Sequence, residues 1–288
     1  MLARVPAISD RDGRLGDLPV FWRQGQLGQG VRAPPLYLHG VPSNSDEWRP
    51  FLQLTGGLAP DLPGFGRSGK PGHFPYTIEG YGDFIESFLE LAGRDWPGGL
   101  ERVSVVVHDW GSVGLTFAQR HPERVERLVV INAVPFLAGY RWHRTARIWR
   151  TALLGELLMG ATTRRTLRIS TRESNVTPGP LPEAWMDSVL AHFDQGTQRA
   201  ILRLYRSSPP ETLAGAGAGL GELKMPALVV WGQADPYIPA RFGRAYGRAL
   251  AGSELLELAD AGHWPWLDRP DVVGRVAGFL GADAGQPA

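Results

Sequence analysis

The chain has 288 residues, 43% of them hydrophobic, with a formal net charge of +1 and no cysteine. That length accommodates one large domain or a core with an inserted lobe, and the lack of cysteine excludes disulfides, thiolate nucleophiles and thiolate metal sites. Near-zero charge argues against a global electrostatic pull toward nucleic acid or an anionic membrane, which leaves small molecules as the expected partners.

The first residues, MLARVPAISDRDGRLGDLPV, lack a charged segment followed by an apolar stretch of signal-peptide length, and no apolar run reaches bilayer-spanning length. A cytoplasmic location and no membrane partner are therefore expected. Short apolar runs then alternate with amphipathic stretches: PPLYLHG, GYGDFIESFLELAG, RVSVVVHDWG, VGLTFAQRHPERV and ERLVVINAVPF. This alternation predicts βαβ units, and the nearly continuous apolar runs VSVVV, RLVVI and ALVVW suit buried parallel strands. The fold class is thus α/β, a mostly parallel twisted sheet flanked by helices. After Phe136 the pattern changes to YRWHRTARIWRTALLGELL, helical in spacing, with no strand-like run before ALVVWG. We read residues 1–136 and 220–288 as two parts of one core, and residues 137–219 as an inserted helical cap. The cap ends in the small-residue stretch LAGAGAGLGEL before Pro226. The last residues, GADAGQPA, read as a frayed tail.

The strand VSVVV runs into HDWGS and then a helix, which places Asp109 at a tight strand-to-helix turn at the carboxyl end of a parallel strand, where open α/β sheets carry their sites. Gly111, two places on, suits the close packing of a nucleophile elbow. A carboxylate follows a late strand in WGQADPYIP, and a histidine stands in ADAGHWPWLD, giving Asp235 and His263 as the other members of a triad. The loop LHGVP directly follows a strand, so the backbone N–H groups of Val41 and Trp110 are candidates for an oxyanion hole. His39 in that loop reads chiefly as a shaper of the turn, His108 as a residue that orients the elbow, and Asp61 as a loop former. An aspartate at the elbow would give a high-energy anhydride with an amide or ordinary ester, but a stable ester with a saturated carbon, so protease and esterase readings are poor. A binding protein that has kept the scaffold and lost the chemistry would usually lack a triad member, and here all three positions are filled.

The ordered set HGVP, DLPGFGRSGKP, VVHDWGS, VVWGQADPYIP and GHWPWLDRP resembles the α/β-hydrolase superfamily, in its branch of epoxide hydrolases and haloalkane dehalogenases, over nearly the whole chain. The resemblance implies an alkyl-enzyme ester on Asp109 that is cleaved by water activated by His263, with Asp235 orienting the imidazole and no metal or organic cofactor. It leaves the leaving group open. A halide is commonly held by the indole after the nucleophile, here Trp110, together with an Asn in the HG loop or a second cap tryptophan; the Asn position is Val41, so Trp142, Trp149 or Trp185 would have to substitute. An epoxide oxygen needs hydroxyl donors from the cap. Tyr205, before an Arg late in the cap, resembles the second ring-opening tyrosine of epoxide hydrolases, whereas the first has no counterpart beyond Tyr140. Val41 and Tyr205 favour the epoxide; Ser112 and the missing first tyrosine favour the halide. The epoxide is the expected substrate class and haloalkane the alternative. His39, Trp110, Tyr140, Trp142, Trp149 and Trp185 are candidate pocket residues for an apolar or aromatic substrate, and the protein is expected as a monomer or homodimer.

Overall fold

The computed structural model describes residues 7–281, so the predicted frayed tail lies outside the described residues from position 282 onward. Among them is one eight-stranded sheet in the order β1-β2-β4-β3-β5-β6-β7-β8. The strands are β1 (Ile8–Leu15), β2 (Leu18–Gly25), β3 (Pro35–Leu38), β4 (Gly57–Pro60), β5 (Val103–Asp109), β6 (Val125–Ala133), β7 (Ala227–Gly232) and β8 (Glu254–Leu258). From β4 to β8 every pairing is parallel, and β2 runs antiparallel to both neighbours.

The central strands are apolar throughout because both faces are covered. With a side-chain period of two, Leu36, Leu38, Val105 and Val107 share a cluster with Phe84, Phe88, Leu115 and Phe117. Those partners stand on α2 (Ile78–Gly93) and α3 (Gly114–Arg120). Tyr37, Val106, Val129, Ile131, Leu228 and Val230 face the other way, and pack with Phe51, Leu52, Val272 and Val276. The structure thereby confirms the α/β fold read from PPLYLHG, VSVVV, RLVVI and ALVVW. Four strands had no signal in that reading, β2 (LPVFWRQG) among them. β1 is polar and half exposed because it is an edge, β8 is an edge as well, and β4 is the four-residue segment GLAP, bounded by glycine and proline.

Helix α1 (Arg49–Thr55) precedes β4. Between β6 and β7 the chain is helical: α4 (Arg144–Arg150), α5 (Leu154–Gly160), α6 (Arg164–Ser170), α7 (Glu183–Leu190), α8 (Gln195–Ser207) and α9 (Pro210–Ala216). α8 packs on α4 and α5 and carries buried Ile201, Leu204 and Tyr205 on its inner face. No helix among the described residues is long and apolar enough to cross a membrane.

Candidate active site

β5 ends at Asp109, whose backbone has φ 48° and ψ −122°. That left-handed conformation is costly for a residue with a Cβ, and it persists only where the surroundings enforce it. Two glycines make room for it. A Cβ on Gly111 would lie 1.9 Å from the Leu38 carbonyl oxygen, and one on Gly40 would lie 2.3 Å from the Asp109 Cβ. The strained turn lifts the Asp109 carboxylate off the sheet, where Oδ1 accepts from the Val41 N–H at 2.8 Å and the Trp110 N–H also points to the carboxylate. Burial pushes the Asp109 carboxyl above its ordinary value, against the pull of His263, His108 and the two backbone donors.

His263 Nδ1 donates to Asp235 Oδ2 at 2.8 Å, and its Nε2 lies 3.7 Å from Asp109 Oδ2. The first contact fixes the tautomer; the second is too long for a hydrogen bond and leaves the Nε2 lone pair free toward Asp109. Burial would lower the His263 pKa, but Asp235 and then Asp109 outweigh it and raise it. Burial likewise opposes ionisation of Asp235. His263, the Ile238 N–H and the Asn132 amide overcome that opposition and hold Asp235 below the usual carboxylate range. The structure thus brings Asp109, His263, Asp235, Val41 and Trp110 together as a preorganised carboxylate, imidazole and donor set.

Beneath this set lies a pair of which the sequence flagged only His108, not Glu47. His108 Nε2 donates to the His263 carbonyl at 2.9 Å, and the fully buried Glu47 approaches His108 Nδ1 at 3.5 Å while accepting from the Trp264 indole at 3.3 Å. Since a carbonyl only accepts, His108 Nε2 carries the hydrogen of that bond. Burial works against the Glu47 charge, but His108 outweighs it and keeps the carboxyl low. This pair, the Ser174 carbonyl that accepts from the His263 N–H, and Asp268 on the Gly262 N–H anchor the loop carrying His263.

A cavity of about 130 Å³ stands over Asp109 and His263, walled largely by apolar side chains from the insertion. Its family follows from a comparison of sequences: a model of the alpha/beta hydrolase family matches residues 36–276. The chain belongs to that family. A cis-3-alkyl-4-alkyloxetan-2-one decarboxylase of Shewanella oneidensis is 27% identical over 88% of this chain and 84% of its own length. A haloalkane dehalogenase of Mycolicibacterium paratuberculosis is 30% identical over 82% and 83%. Epoxide hydrolase 1 of Caenorhabditis elegans is 26% identical over 86% and 64%. Among solved structures, a haloalkane dehalogenase from Bradyrhizobium elkani superposes with TM-score 0.79 at 24% identity, over 95% of this chain and 98% of that one.

In this α/β hydrolase Tyr205, Tyr140, Trp142 and Trp149 line the cavity, and three other expected pocket residues do not. His39 is spent on backbone: Nε2 accepts from the Leu62 N–H and Nδ1 donates to the Gly40 carbonyl, both at 2.9 Å. The Trp110 ring lies under the cavity, stacked on Trp142 with centroids 5.4 Å apart, and its buried indole N–H has the Tyr205 oxygen as a neighbour but no well-formed hydrogen bond among the described residues. Trp185 packs edge-on against Trp264 instead. Asp61 is a loop former as expected, accepting from the Ser45 and Arg67 N–H groups at 2.7 Å.

Tyr237 and His143 are among the cavity residues that escaped the sequence reading. Tyr237 sits edge-on against His263, and its hydroxyl is tied to Ser174. His143 caps α4, its Nδ1 accepting from the Ala146 N–H at 3.4 Å, which leaves Nε2–H as the donor of a ring kept neutral by burial, with its pKa lowered to about 4. A lone histidine on an Arg-rich helix gives no signal of a pocket position.

Proposed function

We propose that this hydrolase opens epoxides to vicinal diols through an alkyl ester on Asp109. The observation that carries the reading is the Tyr205 hydroxyl. It belongs to a buried ring on the wall of the Asp109 cavity, has the Trp110 indole N–H as its hydrogen-bonding neighbour, a donor that leaves the Tyr205 O–H itself unspent, and stays protonated because burial and then the Asp109 charge hold its pKa far above the usual value. A protonated, unspent donor facing a carboxylate nucleophile is what an opening epoxide oxygen requires.

Asp109 Oδ2 is the free carboxylate oxygen, since Oδ1 accepts from Val41. It attacks the epoxide carbon; the carbon–oxygen bond breaks and the departing oxygen takes a proton from Tyr205, with the neutral His143 Nε2–H and Tyr140 on the same wall as secondary donors. His263 Nε2 then removes a proton from water, and the hydroxide adds to the Asp109 carboxyl carbon. The Val41 and Trp110 N–H groups stabilise the oxyanion so formed. Collapse breaks the bond between that carbon and the alkyl oxygen, the diol oxygen takes the proton from His263, Asp109 is left as the carboxylic acid and releases its proton, and the Tyr205 phenolate takes one back, so that the cycle closes with no net proton consumed.

Dehalogenation is the second reading. It is favoured by the dehalogenase relatives and by the Trp110 N–H, which has no well-formed hydrogen bond among the described residues. Against it, Val41 replaces the Asn of a two-donor halide cradle, the Trp142 indole donates to the Ser208 carbonyl at 3.0 Å and Trp185 is outside the cavity, which leaves Trp149, edge-on to Tyr205, as the one candidate for the second donor. Hydrolysis of styrene oxide and 1-bromobutane in parallel, with Asp109→Ala as control, separates the two. Diol alone supports the proposal; bromide alone overturns it in favour of dehalogenation.

A further inference from the structure

The cavity opens through the helical insertion. Of the side chains that wall it, Leu158, Thr166 and Ser170 are exposed, and all three stand on α5 and α6. The same two helices and the residue before α5 carry exposed apolar side chains: Leu153 is 77% exposed, Leu157 71%, Ile169 65% and Leu154 54%. Isolated exposed leucines are ordinary, but a group of them on the helices that wall one opening marks an interaction surface.

Charge gathers on the same segment. Residues 141–172 contain eight arginines and a single carboxylate, Glu156, although the whole chain carries only +1. Arg164 and Arg168 are paired with Glu183 and Asp187 of α7. Arg165 and Arg172 flank Ile169 one turn before and after, are exposed, and form no ion pair among the described residues.

Large aliphatic side chains beside unpaired guanidinium groups suit the boundary between headgroups and acyl chains, where the aliphatic groups sink below the phosphates that the arginines bind. A second copy of this chain fits less well, because a symmetric contact would bring Arg165 and Arg172 of both copies onto one positive surface. We propose that the α5–α6 face docks on anionic lipid bilayers, so that apolar substrate passes from the membrane directly into the mouth of the cavity. Docking goes beyond the catalytic reading and stands independently of it.

Co-sedimentation of the full chain with phosphatidylcholine vesicles, with and without phosphatidylglycerol, tests this. Binding is expected on the anionic vesicles and is expected to weaken at high salt, because screening shortens the attraction. The Leu153→Ser/Leu157→Ser variant should bind about tenfold more weakly, with unchanged thermal unfolding and unchanged hydrolysis of dissolved substrate. Arg165→Glu should also weaken binding, and stands as the test if the double variant fails to fold. No sedimentation with anionic vesicles, or equal sedimentation of wild type and variants, overturns the proposal. So does a dimer that light scattering detects and that the leucine substitutions disperse. None of these readouts needs turnover, so failure here is distinct from failure of the catalytic reading.

Discussion

The two walls of the cavity are built on opposite plans. On the sheet side the acid and base groups are held from behind by fixed partners: Asp109 by Val41 and Trp110, His263 by Asp235 and His108, and Asp235 by Asn132, Tyr237 and Ile238. On the helical side the Tyr205 O–H and the His143 Nε2–H donate to no protein group among the described residues. A committed wall suits covalent chemistry, which needs the same geometry for every substrate. A wall with unspent donors suits the departing group, because only the substrate satisfies them. On the proposed mechanism the core would set the reaction's first intermediate, and the helices between β6 and β7 its selectivity.

Breaking the sheet wall should cost most. Asp109→Ala should abolish turnover of every substrate, a fall of about 10⁴-fold or more in steady-state rate, since no other group can form the ester. His263→Gln should reduce turnover about 10³-fold yet leave alkylation intact, so mass spectrometry of the Asp109 peptide should show a trapped adduct; a rate loss without an adduct would mean that His263 acts before the ester forms. The same split should appear with pH in the wild type. His263 must be neutral to activate water, and its pKa is raised from 6.5, so kcat should fall as pH drops through that higher value, with ester accumulating on the acid side. An acid limb below 6.5 would contradict this.

Breaking the helical wall should be milder and selective. Tyr205→Phe should slow epoxide opening about 10²-fold, measured as single-turnover ester formation, while leaving ester hydrolysis unchanged. Equal losses in both steps would remove Tyr205 from the ring-opening role. The smallest effect is expected one layer below the sheet wall. Glu47→Gln removes the charge facing His108 and loosens the loop of His263, and should lower kcat about tenfold with a displaced acid limb and little change in KM. A variant that lowers only thermal stability would show that Glu47 merely supports the fold.

Much of this molecule was legible in the chain. Continuous apolar runs dictated central parallel strands, because a strand covered on both faces has no polar side to show, and the elbow glycines, Asp109, Asp235 and His263 carried their own spacing signal because the turn tolerates few residues. Edge strands such as β1 and β8 stayed silent, since half of each strand meets water and pairing alone holds it. Tertiary structure alone decided which aromatic side chains face the cavity: periodicity places a residue on a helix face but does not say what that face meets, and so Tyr205 and His143 reached the site while His39 and Trp185 did not. It also brought Glu47 under His108, an arrangement that depends on the distance between segments far apart in the chain.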